Sequence, residues 1–199
     1  MRGEARQSKN LVLQLKDGRL VGSPPESVAA RIARYLRTTS ASAGVLSPIL
    51  SKTATLVPVP KSSLPTKDGL WVPEQLCHEL VRAGFGSRVA PLLVRTEPIP
   101  KAARSLSTER PTALKNYQTL KVRRELDIPG DFVLVDDVVT AGATLLGSAN
   151  RLGDAYPAAA IRGFAAARTL TDAMRFQRVI DPVVGTIVLK PGGRTQRDP

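Results

Sequence analysis

Two adjacent carboxylates, Asp136 and Asp137, are the residues of this sequence best suited to chemistry. They follow an apolar run, residues 132–135, and precede the turn "TAGAT", residues 140–144, which leads into a predicted helix. The hydroxyls of that turn, its free amides and the positive end of the helix dipole suit an anion, and Gly142 allows a phosphate close to the backbone. Carboxylates would repel that phosphate. A phosphorylated sugar resolves the conflict, because its hydroxyls can donate to the carboxylates while its phosphate lies in the turn.

Other sites also pair aspartates after a strand. Phosphate-receiving regulatory domains and metal-dependent hydrolases do so, but they lack a Thr/Gly turn directly afterwards. A Walker-type phosphate loop requires Gly-Lys followed by Ser or Thr, which this sequence does not contain. The plain structural alternative is a strand that ends in two solvated acids. The pattern favours a sugar-phosphate site over these alternatives.

The composition is that of a soluble globular protein. The 199 residues are 42% hydrophobic and 23% charged, enough for one domain with a sizeable core. No apolar run approaches the roughly 18 residues of a membrane span, and the apolar stretch 11–15 is too short for a signal peptide. A single cysteine, Cys77, excludes an internal disulfide and a cysteine-cluster zinc site. We expect a cytoplasmic protein with no membrane association.

The positive charge is concentrated in one segment. The chain has 29 Lys and Arg against 17 Asp and Glu, a net charge of +12. Residues 95–124 carry half of the surplus, and from 95 to about 118 no helical or strand period is convincing. A loop longer than about 15 residues in a compact domain is usually functional or disordered. We predict a flexible basic segment, 95–124, that meets an anionic partner.

Alternating apolar segments predict an α/β fold. The order of strands and helices indicates a parallel twisted sheet with helices on both faces, in a single domain over residues 1–190. One helix is expected to begin at an N-cap, Ser23, with Pro24 at its first position. The predicted helices are 23–37, 73–83 and 142–152; the predicted strands are 53–60, 88–94, 132–135, 158–166 and 183–189; residues 191–199 are predicted to be a disordered tail.

The segment "VLVDDVVTAGAT", residues 133–144, resembles the signature of type I phosphoribosyltransferases that binds phosphoribosyl pyrophosphate (PRPP). Within that superfamily the chain most resembles the ComF-type (competence protein F) proteins. The similar stretches are "LVPVP" at 56–60, "RTEPIPKAARSLSTERPTALKNYQTLKV" at 95–122 and, more faintly, "VLQLKDGRL" at 12–20. The resemblance covers about residues 10 to 170 and implies the type I phosphoribosyltransferase fold with a basic hood loop.

The sequence also departs from that family. It has no cysteine-rich zinc ribbon, "KSSLPTKDGLW" replaces an arginine-rich stretch, and Lys101 stands where a glutamine is usual. Purine-salvage transferases carry an aspartate at the position of Thr140, which argues against a hypoxanthine-type enzyme. The pair Thr140-Ala141 also occurs in orotate-type transferases, so the turn does not name the acceptor.

The resemblance implies a reaction and a set of roles. A nitrogen acceptor would displace pyrophosphate from C1 of PRPP, with Mg²⁺ bridging the pyrophosphate and the ribose hydroxyls. Asp136 and Asp137 would hold the 2′- and 3′-hydroxyls; the metal would be held through PRPP without a dedicated protein cage, and these two aspartates are its candidate side-chain ligands. The 5′-phosphate would be held by Thr140, Ala141, Gly142, Ala143 and Thr144; the pyrophosphate by Val59, Pro60, Lys61 and Ser62; and the leaving group would be stabilised by the hood cations Lys101, Arg104 and Arg110.

Two other functions stay open at this stage. Some proteins keep this fold and turn as non-catalytic PRPP or nucleotide sensors. The net charge of +12 and the competence link of the resembling family suggest a DNA-associated protein, and leave weak nucleic-acid binding open beside catalysis. The resemblance leaves a homodimer open as well. Trp71 and Tyr117 could stack on an acceptor base or pack in the protein, and Arg168 resembles a family arginine that could equally pair with an acid.

Overall fold

A four-stranded parallel sheet lies at the centre of this computed structural model, which describes residues 2–39, 44–66, 69–100, 111–170 and 181–198. The described residues form the strands β1 (Leu20–Val21), β2 (Glu26–Ser27), β3 (Thr55–Pro58), β4 (Arg88–Val89), β5 (Leu93–Arg95), β6 (Leu120–Val122), β7 (Asp131–Val139), β8 (Ala160–Arg168), β9 (Thr186–Leu189) and β10 (Thr195–Asp198). They also form the helices α1 (Arg2–Lys16), α2 (Val28–Thr38), α3 (Val72–Arg82), α4 (Ala113–Gln118) and α5 (Ala143–Ala155).

The central sheet has the order β4-β3-β7-β8, and all its neighbouring strands are parallel. Pro58 at the end of β3 lies opposite Val135 in β7, and β7 then stays paired with β8 as far as Val139 opposite Arg168. Parallel strands bring their carboxyl ends to one edge of the sheet, where ligands bind in open α/β folds. The predicted parallel sheet is confirmed.

Both faces of the sheet are covered, as the sequence predicts. Side chains alternate along β7, so Val133 and Val135 pack with α1, α2 and α3 in one apolar core. Phe132 and Leu134 pack on the opposite face with apolar side chains of α5 and of the segment around β5. All four are at most 1% exposed, which is why this strand reads as an uninterrupted apolar run.

The strand β7 is longer than the sequence predicts. It does not end at Val135 but continues through both aspartates to Val139, because β8 continues beside it and pairs with it, for example Asp136 with Ala165. The candidate carboxylates therefore lie on the last residues of a paired strand and not on a loop beyond it. A paired backbone holds their positions more rigidly than a loop would.

The predicted start of the second helix was wrong. The helix α2 begins at Val28, and Ser27, not Ser23, is its N-cap, with the side-chain oxygen accepting a hydrogen bond from the amide of Ala30. The preceding residues form the short antiparallel pair β1–β2. The serine and proline that suggested a helix start lie in the turn between those two strands.

Part of the predicted basic loop is regular structure. The predicted strand 88–94 is divided between β4 in the central sheet and β5, which pairs antiparallel with β6. Between β5 and β6 lies α4, whose N-cap Thr112 accepts a hydrogen bond from the amide of Lys115. The hood residues Lys101, Arg104 and Arg110 lie outside the described residues.

The predicted disordered tail is instead a strand. Over Thr195–Asp198 the chain forms β10, which pairs antiparallel with β9, Gln196 lying opposite Val188. Two glycines with positive φ, Gly192 and Gly193, turn the chain between the strands. The sequence "KPGG" at this turn is a hairpin signal. None of the helices in the described ranges has the length and apolar character that a membrane span requires.

Gly147 on α5 allows the helices α4 and α5 to touch. A Cβ atom there would overlap the carbonyl oxygen of Ala113 and lie 2.7 Å from the Cβ of Asn116. We expect Gly147→Ala to lower the free energy of unfolding by about 2 kcal/mol, since a methyl group forced into a packed contact costs more than the helix propensity it adds. Urea unfolding measures this. Gly153→Ala on the same helix is the matched control, because a Cβ there has ordinary contact distances; equal effects would contradict the prediction.

Candidate functional site

The two aspartates lie side by side at the carboxyl end of the sheet. Asp136 accepts a hydrogen bond on Oδ1 from the amide of Asp137, at 2.9 Å, and Asp137 accepts one on Oδ1 from the amide of Val138, at 2.8 Å. Both side chains are half-buried. In each, Oδ1 is therefore used by a backbone amide of the protein.

The aspartates influence each other electrostatically. Burial raises the pKa of Asp136 well above its ordinary value, and the neighbouring Asp137 carboxylate raises it further. Both effects disfavour the charged form of the Asp136 carboxyl group.

A lysine from the N-terminal helix faces the same pair. Lys16, the last residue of α1, places Nζ 4.0 Å from Oδ2 of Asp137, and its charge partly offsets the rise in the pKa of Asp136. This lysine lies in the stretch "VLQLKDGRL", and its local pattern predicts no role at the site. It adds a cation to the candidate site.

The turn "TAGAT" has the geometry of a helix N-terminus. Gly142 is the N-cap of α5 and has φ +85°, a conformation that glycine adopts without strain. The first amides of a helix have no acceptor within the helix, and Gly142 has no side chain to cap them. Thr140 and Thr144 are both half-buried beside them. These amides and hydroxyls make a suitable site for a phosphate.

The loop after β3 is held by hydrogen bonds from three parts of the chain. The Val59 amide donates to the Val135 carbonyl of β7, and the Val59 carbonyl accepts from Nε1 of Trp71 at 2.9 Å. The carbonyl of Ser62 accepts from the amide of Ile99. The indole N–H of Trp71 thus anchors the loop. Of the two roles considered for this residue, packing within the protein and stacking on an acceptor base, this contact supports packing.

Arg95 ties this loop to the neighbouring small sheet. It is only 3% exposed, and its guanidinium donates to the Lys61 carbonyl (3.0 Å), Thr119 Oγ1 (2.7 Å) and Asn116 Oδ1 (3.2 Å). Burial lowers the pKa of Arg95 to about 10, so it stays charged at neutral pH. The sequence placed Arg95 in the basic hood, but its contacts are those of a structural anchor.

The structure brings the predicted loops to one edge of the sheet. The strands β3 and β7 are adjacent and parallel, and Pro58 lies opposite Val135. The loop with Lys61 therefore leaves β3 beside the two aspartates of β7. Lys61 donates from Nζ to the Leu70 carbonyl at 2.8 Å and is half-buried. The predicted residues found at this edge are Val59, Pro60, Lys61, Ser62, Asp136, Asp137, Thr140, Ala141, Gly142, Ala143 and Thr144.

Two other residues from the sequence analysis have structural contacts. The hydroxyl of Tyr117 donates to Asp154 at 2.6 Å, and the guanidinium of Arg151 lies over its ring at 5.1 Å from the centroid. Arg168, at the end of β8, donates to the carbonyl of Asp181. Tyr117 therefore packs against α5, which supports a packing role over stacking on an acceptor base.

The carboxylates of Asp136 and Asp137 suit Mg²⁺ better than a metal ion that needs several protein ligands. Within the described ranges, no three His, Cys, Asp or Glu side chains are grouped closely enough to hold a metal ion. Two adjacent carboxylates alone fit Mg²⁺, which keeps several waters and is commonly bound by one or two carboxylates together with substrate phosphates.

Comparisons with known proteins give likenesses to solved structures alone. No family model matches the sequence, and no curated protein does. A crystal structure of a hypoxanthine phosphoribosyltransferase from Staphylococcus aureus is similar at 11% sequence identity with a TM-score of 0.37. The match covers 71% of this chain and 63% of that one, so this chain spans less than two thirds of that protein's length. The α/β fold described above is assigned from the strand order and connections of this chain, and not from this likeness.

Proposed function

We propose that this protein binds PRPP and transfers its phosphoribosyl group to a nitrogen acceptor, with release of pyrophosphate. The observation that carries the proposal is the meeting of three features at one sheet edge. These are two adjacent aspartates on β7, the N-terminus of α5 directly after them, which no side chain caps, and the anchored loop 59–62 on the neighbouring strand. A ribose with a phosphate at one end and a pyrophosphate at the other matches those features in chemistry.

The proposed reaction breaks the bond between C1 and the pyrophosphate oxygen and forms one between C1 and the acceptor nitrogen. The electron pair of the broken bond leaves with the pyrophosphate, and the nitrogen loses its proton. The transition state resembles an oxocarbenium ion, so the protein contributes chiefly by placing charges and orienting the ribose. In this proposal Asp136 and Asp137 accept hydrogen bonds from the 2′- and 3′-hydroxyls.

The remaining roles follow from position. The amides and hydroxyls of residues 140–144 hold the 5′-phosphate, and residues 59–62 hold the pyrophosphate, with Lys61 as a cation. Mg²⁺, when bound, would neutralise charge on the pyrophosphate, and Asp136 and Asp137 would be the carboxylates available to it. The hood cations Lys101, Arg104 and Arg110 are proposed to stabilise the leaving group, where negative charge grows in the transition state.

The test is release of pyrophosphate from PRPP, measured with a panel of bases, amines and nucleic acids as acceptors. We expect Mg²⁺-dependent release with one class of nitrogen acceptor, and Mg²⁺-dependent binding of PRPP in calorimetry without any acceptor. Binding without release across the panel would indicate a PRPP sensor instead of an enzyme. Failure to bind PRPP at all would overturn the proposal. Binding of nucleic acid alone, weakening steeply with salt, would favour a DNA-associated protein.

A further inference from the structure

Two facing residues of the hairpin of β9 and β10 contact the proposed 5′-phosphate turn. Ile187 on β9 lies directly opposite Arg197 on β10. Residues that face each other across an antiparallel pair project from the same side of the ribbon. One face of the hairpin therefore presents an apolar and a cationic side chain together, and both reach residues of the turn.

Arg197 bridges the ends of two parallel strands. Its Nε donates to the carbonyl of Thr140 at 3.0 Å, and its Nη2 donates to the carbonyl of Thr169 at 2.6 Å. Thr140 follows β7 and Thr169 follows β8, and the amide of Thr169 also donates to Val139. The planar guanidinium holds two carbonyls at once, a geometry that a lysine ammonium does not reproduce.

Ile187 fits against the glycine of the turn. A Cβ atom at Gly142 would lie 2.6 Å from Cδ1 and 2.8 Å from Cγ1 and Cγ2 of Ile187. The hairpin is therefore seated on the bare backbone of the turn. This contact sets the distance at which Arg197 meets the Thr140 carbonyl.

From these contacts we infer that Arg197 is a positioning residue for the 5′-phosphate turn. In a trans peptide the carbonyl of one residue and the amide of the next point in opposite directions. By holding the Thr140 carbonyl, Arg197 orients the Ala141 amide away from the hairpin, and it adds a positive charge beside the phosphate. This inference rests on the proposed function, because it concerns the turn assigned there to the 5′-phosphate.

The experiment compares two fragments of PRPP in calorimetry, ribose 5-phosphate and pyrophosphate with Mg²⁺. We expect Arg197→Gln to weaken ribose 5-phosphate about tenfold and to change pyrophosphate less than about twofold. Arg197→Lys keeps the charge but not the bridge, so we expect it to weaken ribose 5-phosphate about fivefold. The matched control is Arg194→Gln, an exposed arginine on the same hairpin, which should leave both affinities unchanged.

Several results would overturn the inference alone. These are unchanged or tighter ribose 5-phosphate binding by Arg197→Gln, equal losses for both fragments, or parent-like affinity in Arg197→Lys. Equal losses would mean a general structural role, and tighter binding would mean that the hairpin excludes the ligand. If the parent protein binds neither fragment, the proposed function itself fails, and this inference fails with it.

Discussion

Replacing Asp136 and Asp137 together by asparagine is expected to weaken Mg²⁺-dependent PRPP binding at least ~100-fold. A hydrogen bond to a charged group contributes about 1.5–3 kcal/mol, and about 1.4 kcal/mol corresponds to a factor of ten in affinity. Asparagine removes the charge from both acceptors, so the loss of this strengthening at two positions reaches this figure. Calorimetric titration with PRPP in the presence of Mg²⁺ measures it.

The raised pKa of Asp136 predicts how the stability of Asp136→Asn compares with that of the parent protein. Because its pKa is raised, the folded protein keeps this proton to a higher pH than the unfolded chain does. The free energy of unfolding contributed by this group therefore falls as pH rises from about 4 through the raised pKa. Asparagine removes this dependence, so we expect Asp136→Asn to be at least as stable as the parent at neutral pH.

The matched control is Asp127→Asn, an exposed aspartate at φ 58°, a conformation that asparagine also tolerates. It removes one carboxylate just before the amino end of β7, whereas the candidate site lies towards the carboxyl end, and it should leave PRPP affinity unchanged. Parent-like affinity in the double variant would show that the ribose does not bind at these aspartates.

Arg95→Met is expected to lower the free energy of unfolding by about 3 kcal/mol. Methionine fills similar space but cannot donate, so Thr119 Oγ1 and Asn116 Oδ1, both in side chains 1% exposed, would lose the guanidinium as donor. An acceptor left unsatisfied in the interior costs about 1–3 kcal/mol. For a protein of this size the loss corresponds to a melting temperature lower by about 9 °C, measurable by calorimetry or circular dichroism.

Arg95→Met also tests how the loop 59–62 is held. Since Arg95 donates to the Lys61 carbonyl, its loss should weaken binding of pyrophosphate with Mg²⁺ in the fraction that remains folded. Arg123→Met changes an exposed arginine of the same basic segment and serves as the control for lost charge. If the two variants have the same stability, the buried arginine is not the anchor that its contacts indicate.

Elements with a strong local pattern were predictable from the sequence. The buried strand β7 reads as an apolar run, and the helix α3 as an apolar stripe with Pro73 near its start. The start of α2 was misplaced because a serine and a proline that could begin a helix lie in the turn of a small strand pair. The strand β9 lies within the predicted strand 183–189, whereas β10 was missed because its residues are polar and only the turn "KPGG" marks the hairpin.

By itself the sequence determined the parallel α/β fold and the stretch that carries the candidate chemistry, Asp136 to Thr144. These depend on neighbours in the chain: apolar residues in a run, two acids, and a turn of small residues. The tertiary structure alone decided that Arg95 is an anchor, that Lys16 faces Asp137 and that Arg197 holds the turn. Each of those contacts joins residues more than 30 positions apart. The pairing therefore depends on which strand ends meet, and no local pattern of the sequence contains that information.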